Sequence, residues 1–417
     1  MGDTKNKAQE KLNLNNPRFN QQINALVREH FLINKLEIYI MTTAVYALSG
    51  DPITFGHIDI INRAAAGFDK LIVGLGVNPN KKYMLTPDER LTVAKQSLSH
   101  LTNVTVMFFE GLLVDFAFEQ GASIIVRGIR NASDAVDEQA LDQINGSQMD
   151  IDTFFMFSRS KLAHVSSSNV KAIQAENGLI HEYVPLPVKK LLERKISSQL
   201  VYGITGVMGS GKSYVADQLA LFSEQQHAES ESNPLVFNIE LDKLAHQVYS
   251  SDKPRYKEIR ERIRKRFGTL DRAKIGQIAF GTEDSKEHVD FLNEIFKEPV
   301  MVLLRKELRG KKGIVLINSA LLVESDMLNL CNNHVILVDA EESVRHARLV
   351  EFRNIDPVVA ENRIKHMKSN GAKKAQIKSA IASVQFGKIV KFNNTASELT
   401  DIAKLYEQLK ADYNSEQ

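Results

Sequence analysis

The chain has no tryptophan and only one cysteine, Cys331, so an internal disulfide is excluded. A lone cysteine fits a reducing, cytoplasmic setting, where Cys331 would serve as a small buried apolar residue. There is no apolar run long enough to cross a bilayer. There is also no surplus of one charge: 53 Lys and Arg oppose 51 Asp and Glu, a net charge of +2. That balance gives no electrostatic case for a nucleic-acid or membrane partner, so local basic sites must do any phosphate binding. What is present is an ordinary globular composition, 43% apolar and 25% charged. At 417 residues the chain exceeds one ordinary core, and two domains are expected.

Residues 1–41 are expected to be an N-terminal extension, partly disordered. Its opening, MGDTKNKAQEKLNLNNPRFNQQ, is polar and rich in asparagine. The following INALVREHFLINKLEIYI suits an amphipathic helix or strand, but Arg28, Glu29, His30, Lys35 and Glu37 interrupt any signal-peptide pattern. From Thr43 onward, short apolar runs (TAVYAL, DKLIVGLGV, NVTVMFF, ASIIVRG, DTFFMF) read as buried strands and alternate with helix-period segments. Thr86 with Glu89 three positions on reads as a capping box. Strict alternation of this kind predicts parallel βαβ units and an open α/β sheet. After a Pro-punctuated, then basic stretch, VPLPVKKLLERKISSQ, the strand LVYGIT opens a second βα series. The expected division is a first domain at 42–190, a linker at 191–199 and a second domain at 200–417.

In the first series, TAVYAL runs into SGDPITFGH and then a helix. Ligands of parallel sheets sit beyond the carboxyl ends of the strands, where helix amino ends aim free N–H groups. Gly56 admits close approach of backbone to a ligand, and His57 falls in the first helical turn. Charge builds on the α-phosphate oxygens during adenylyl transfer, and His57 and the Ser49 hydroxyl are suited to meet it. Lys81, Arg127 and Arg130 follow other strands toward the same edge. The loop holding Ser166, Ser167 and Ser168 adds hydroxyls and backbone N–H groups.

Through DPITFGHIDIINRA, FDKLIVGLGVNPNKK, PDER, RGIRNASD and VSSSNVK, residues 43 to about 190 resemble bacterial-type phosphopantetheine adenylyltransferase of the HxGH nucleotidyltransferase superfamily. The resemblance implies a Rossmann-like domain in which Ser49 and His57 contact the transferring phosphate. It implies that Lys81 and Arg127 serve 4′-phosphopantetheine and the transition state, and that Arg130, Glu138 and Ser166–Ser168 hold ATP. It further implies direct attack of the phosphopantetheine phosphate on ATP, without a covalent enzyme intermediate, and a homo-oligomer formed through this domain.

In the second series, GITGVMGSGKS between a strand and a helix satisfies the P-loop pattern with Gly206, Gly211, Lys212 and Ser213. Its backbone N–H groups, those of Gly209 and Ser210 included, would curl around phosphate oxygens. Lys212 would span the β- and γ-phosphates, and Ser213 would ligate Mg²⁺, brought with the co-substrate ATP. Asp242, after strand NPLVFNIE, suits a helix cap and the orienting of an attacking hydroxyl equally. Arg345, Arg348, Arg353 and Arg363 together suit an arginine-bearing lid.

Residues 200 to about 412 resemble dephospho-coenzyme A kinase, through the P-loop, LDKLAHQVY, RFGTLDRAKIGQIAF, ALLVES, VILVDAEESVRHARL and ENRIKH. The resemblance implies a P-loop fold with Asp242 as base. It is looser here: Glu240-Leu241-Asp242 replaces Asp-Ala-Asp, Ala320-Leu321-Leu322 replaces Pro-Leu-Leu with Glu324 retained, and Met367 replaces a glutamine. Taken together, the two resemblances imply two consecutive reactions, 4′-phosphopantetheine to dephospho-coenzyme A to coenzyme A. The alternative is an active adenylyltransferase carrying a degenerate kinase domain that binds ATP and regulates.

Overall fold

A computed structural model describes residues 42–415 apart from 78–80, 282–284, 354–355, 358–359, 362–363 and 365–368. The expected extension at 1–41 therefore lies outside the described residues, as do Arg363, Met367 and the side chain of Arg353.

The first series is β1 (Thr43–Leu48), α1 (Phe55–Ala65), β2 (Lys70–Gly76), α2 (Pro87–Ser97), β3 (Val104–Phe109), α3 (Leu113–Glu119), β4 (Ile124–Ile129), α4 (Ala132–Gln148) and β5 (Asp152–Phe157). The strands form one parallel sheet ordered β3-β2-β1-β4-β5. Alternate residues of β1 and β2 feed opposite cores. Ala44, Tyr46, Leu71 and Val73 pack on one face, while Val45, Ile72 and Ile125 pack on the other. Chain order reverses between β1 and β4, so the loops leaving those strands diverge and open a crevice at their carboxyl ends.

β5 corrects an expectation. DTFFMF reads as a buried strand, yet it is the sheet edge, with Phe154 and Phe157 51% and 66% exposed. A run of aromatics does not reveal how many neighbours a strand has; that follows from the order of strands in the sheet.

α5 (Ser167–Ala175) and α6 (Leu186–Ser197) close the first domain. α6 changes the expected linker. Val188 and Leu192 belong to the first core, Ser198 turns the chain in the left-handed region (φ +54°), and Gln199 starts the next strand. Residues 191–199 are thus mostly the second half of a packed helix, because their apolar residues repeat at helical spacing.

The second series runs β6 (Gln199–Gly206), α7 (Lys212–Glu229), β7 (Leu235–Glu240), α8 (Leu241–Ser250), α9 (Pro254–Phe267), α10 (Arg272–Gly281), α11 (Ser285–Leu308), β8 (Gly313–Asn318), β9 (His334–Asp339), α12 (Glu342–Arg353), α13 (Asn370–Val384), β10 (Lys388–Asn393) and α14 (Leu399–Asn414). Its parallel sheet is ordered β10-β9-β6-β8-β7. Every residue of β6 is buried, so the loop leaving it emerges at the centre of the sheet edge. Cys331 is buried as expected; loss of water pushes its thiol up to about 12, and it is inert packing.

Candidate active sites

One cavity of about 860 Å³ opens at the β1/β4 crevice, and its walls include Ser49, His57, Lys81, Arg127, Arg130, Glu138, Ser166, Ser167 and Ser168. All nine residues expected of the first site are therefore in one place, although they come from five separate stretches of chain.

His57 is placed by the start of α1. Thr54 is the N-cap, and its backbone N–H donates to His57 Nδ1 at 3.1 Å, with its Oγ1 3.0 Å from the same nitrogen. The imidazole thus occupies the position that Glu takes in an ordinary capping box. Because a backbone N–H can only donate, Nδ1 must be unprotonated and Nε2 carries the hydrogen. Desolvation, helped by the positive charges of Arg130 and Lys81, lowers the imidazole to about 4. At neutral pH the ring is an uncharged donor held by its own helix cap.

Lys81 Nζ donates to Ser49 Oγ at 3.0 Å, bringing a cation and a hydroxyl together at the mouth of β1. Arg127 forms a two-pronged ion pair with Glu138, through Nε to Oε2 and through Nη2 to Oε1 at 2.7 Å. Arg130 pairs likewise with Asp134, at 2.8 and 3.1 Å, and that hydrogen-bonded pairing raises the guanidinium further. The two arginines sit in the expected cavity but face carboxylates, so an entering phosphate must compete for them. Ser166 caps α5 by accepting from the Asn169 N–H at 3.2 Å. Ser167 is tied to the Pro52 carbonyl at 2.8 Å, and the helix start at Ser166–Ser168 lines the cavity.

Three residues that sequence reasoning passed over hold this arrangement. Arg90, only 2% exposed, donates to the carbonyls of Ser49 (2.6 Å) and Gly76 (3.2 Å) and lies over the rings of Tyr83 and Phe108. It fastens the ends of β1 and β2 together. Asp51 is buried, takes the backbone N–H groups of Met84 and Leu85, and pairs with Lys171 at 2.7 Å. Burial pushes its carboxyl up, but the Lys171 and backbone hydrogen bonds outweigh that and hold it below the usual range. The signal for Arg90 was the PDER motif; nothing local marks Lys171 as the partner of Asp51, 120 positions away.

At the second edge, Gly209 and Gly211 have φ of +79° and +81°, which lets the loop curl. A Cβ on Gly206 would lie 2.3 Å from the Val338 carbonyl oxygen. Lys212 and Ser213 open α7, and the Ser213 hydroxyl donates to Glu240 Oε2 at 3.3 Å. Asn318 Nδ2 approaches Ser213 Oγ at 3.4 Å. Glu240, rather than Asp242, is the carboxylate beside the loop. Glu240 is also the N-cap of α8, while Asp242 stands exposed in the first turn. Of the two open readings of Asp242, the cap is therefore excluded.

Arg348, expected as a lid cation, reaches the loop itself, with Nη1 3.4 Å from the carbonyls of Gly209 and Ser210 and Nη2 donating to the Asn394 carbonyl at 2.7 Å. Asn394, which sequence reasoning missed, is buried and donates to the Ser210 carbonyl at 2.8 Å. Arg345 packs its backbone against Gly209. A second cavity, of about 480 Å³, opens nearby beyond β9 and β10, with Asp339, Asn370, Lys374, Lys391 and Asn393 among its walls.

Comparison with known proteins finds relatives for each of the two domains. The cytidylyltransferase-like family model matches residues 49–173, and the dephospho-CoA kinase family model matches residues 200–384. A phosphopantetheine adenylyltransferase from Heliobacterium modesticaldum is 43% identical over 156 residues, which is 37% of this chain and 93% of that protein. Those from Rhodopirellula baltica and Geotalea daltonii are 40% and 43% identical, over 90% and 96% of their lengths and 38% and 37% of this chain. A solved structure from Thermus thermophilus covers 51% of this chain and 97% of its own, at 22% identity and a TM-score of 0.40.

Proposed function

Because the chain belongs, over its first domain, to the phosphopantetheine adenylyltransferase family and carries a dephospho-CoA kinase domain behind it, we propose the following division of work between its two sheet edges. The chain is bifunctional in coenzyme A synthesis. The first domain transfers adenylyl from ATP to 4′-phosphopantetheine, and the second phosphorylates the ribose 3′-hydroxyl of the resulting dephospho-coenzyme A.

At the first site, a phosphate oxygen of phosphopantetheine attacks the α-phosphorus of ATP. The Pα–O bond forms as the bond to the bridging oxygen breaks, and pyrophosphate leaves. The observation that carries the site's role is the orientation of His57, whose Nε2–H is left as the donor by the Thr54 N–H on Nδ1. A neutral, pre-aimed donor stabilises the charge that grows on the α-phosphate without reorganising first. Lys81 and Arg127 take the phosphopantetheine phosphate and the transition state, while Arg130, Glu138 and the Ser166–Ser168 helix start take ATP. Arg127 and Arg130 exchange their carboxylate partners for phosphate as the substrates enter.

At the second site the glycine loop and Lys212 grip the donor phosphates, with Arg348 fixing the loop from behind. Arg353 and Arg363 act as lid cations. The Ser213 hydroxyl and Glu240 carboxylate, 3.3 Å apart, are the oxygen donors that a hard cation prefers, so Mg²⁺ bound with ATP fits beside them and would offset phosphate charge. Asp242 orients the acceptor hydroxyl.

No helix among the described residues is long and apolar enough to cross a membrane. We place the enzyme in the cytoplasm, with neither a membrane nor a nucleic-acid partner. It associates with further copies of itself through the first domain, where Phe118, Phe154 and Phe157 are exposed.

The test is to incubate purified chain with 4′-phosphopantetheine, ATP and Mg²⁺ and to identify products by mass. Coenzyme A, pyrophosphate and ADP are expected. Dephospho-coenzyme A accumulating without coenzyme A would remove the kinase step.

A further inference from the structure

The kinase domain contains a fully buried lysine that the roles above do not use. Lys373, 0% exposed, lies in the first turn of α13. Its ammonium donates to the Ala320 carbonyl at 2.7 Å and to Glu324 Oε1 at 2.5 Å. Taking an ammonium out of water costs several kcal/mol unless strong acceptors replace the water, so this lysine is held in place by what it grips. Both of its partners lie in one short loop, the segment that leaves the carboxyl end of β8.

That loop borders the reaction centre. Asn318, the last residue of β8, approaches Ser213 at 3.4 Å. Thr205 of β6 donates to the same Ala320 carbonyl at 3.4 Å, and Leu322 fills the space where a Cβ on Gly203 would lie, with its Cδ2 2.4 Å from that point. Arg348 and Asn394 reach the P-loop from the β9–β10 side. The β8 loop is on the opposite flank of β6, and Leu321 within it is 43% exposed.

Glu324 completes the observation. Lys373 takes its Oε1, while Oε2 is buried and has no hydrogen-bond partner among the described residues. A buried carboxylate oxygen left without a donor is costly, and it is satisfied when a donor arrives. A dephospho-coenzyme A molecule offers such donors in its hydroxyls and amide N–H groups.

We propose that Lys373 is a positioning residue for the acceptor: it fixes the Ala320–Glu324 loop and turns Glu324 so that Oε2 receives a hydrogen bond from bound dephospho-coenzyme A. This rests on the kinase reading of the second domain. Lys373 itself touches neither substrate.

The experiment uses the full chain and measures steady-state kinase kinetics for Lys373→Met, Lys373→Arg, Glu324→Gln and the Lys373→Met/Glu324→Gln pair. Wild type must first convert dephospho-coenzyme A to coenzyme A; if it does not, the kinase reading fails and this inference falls with it. Given that turnover, Lys373→Met is expected to raise KM for dephospho-coenzyme A about tenfold, the loss of one hydrogen bond to a charged group. KM for ATP and the adenylyl-transfer rate should stay within about twofold. Lys373→Arg should recover most of the loss, and the double variant should be no worse than the poorer single one. Should Lys373→Met prevent the kinase domain from folding, Glu324→Gln carries the test alone, because it keeps the lysine and the shape of the side chain. An unchanged acceptor KM in Glu324→Gln, or an equal rise in both KM values, overturns the proposal.

Discussion

Lys189, on the last helix of the first domain, donates to the carbonyl oxygen of Leu330 in the second domain at 2.9 Å, and Lys189 is 1% exposed. The same ammonium holds Glu193 at 2.6 Å and Asn332 Oδ1 at 3.1 Å, while Asn332 Nδ2 donates to Glu193 Oε2 at 2.6 Å. Four polar groups thus satisfy one another between the two cores, with Arg194 adding a bond to the Tyr413 carbonyl at 2.9 Å. Lys189→Met should destabilise the chain by about 3–5 kcal/mol, because Glu193 is left buried with its charge unpaired. Calorimetry of the full chain checks this. Adding Glu193→Leu should restore part of the loss, and a Lys189→Met chain that melts like wild type would show that the joint is not where the domains are held.

His57→Ala should lower adenylyl transfer on the order of 10²–10³-fold, as for removal of one donor aimed at a developing oxyanion. The kinase step, measured with added dephospho-coenzyme A, should be unaffected. An adenylyl-transfer rate near normal would displace His57 from its assigned role.

The Lys212→Ala variant should show the opposite pattern, losing coenzyme A formation on the order of 10²-fold or more while dephospho-coenzyme A accumulates. Gly206→Ala should have the same kinetic outcome for a steric reason. Its Cβ would meet the Val338 carbonyl at 2.3 Å, and backbone cannot yield as a side chain can. Overpacking there should cost about 1–3 kcal/mol. Product analysis together with a denaturant titration separates the two causes.

Acidification should destabilise the protein. His57, His181 and His334 are each lowered to about 4, chiefly by desolvation, from an ordinary 6.5. Between those values the unfolded chain binds these protons and the folded chain does not, so stability falls as pH drops from about 6.5 toward 4. Asp51, lowered in the fold, acts in the same direction at still lower pH. Urea midpoints at pH 7.5, 5.5 and 4.5 should decline in that order, and an increase on acidification would contradict the buried neutral state of these rings.

Replacing Asn394 by alanine removes the anchor on the Ser210 carbonyl, a loss of about 1 kcal/mol. ATP binding at the second site should weaken about fivefold, with adenylyl transfer unaltered. Isothermal titration with a non-hydrolysable ATP analogue measures it; wild-type affinity would mean that Arg348 alone holds the loop.

Local pattern was enough for the α/β class, the two series, the P-loop and the clustering of His57, Lys81 and the arginines at one edge. Each of those depends on residue types at short spacing, and glycine conformation, helix capping and strand alternation act over only a few residues. Tertiary structure decided the rest. β5 is an exposed edge because of strand order, not composition. Residues 191–199 are mostly a packed helix because Leu191, Leu192 and Ile196 join the core of the first domain. Asp51 found Lys171, Lys189 found Leu330 and Lys373 found Glu324 across separations of 120, 141 and 49 residues. Which charges are paired inside a protein depends on where distant segments come to lie, and no local spacing carries that information.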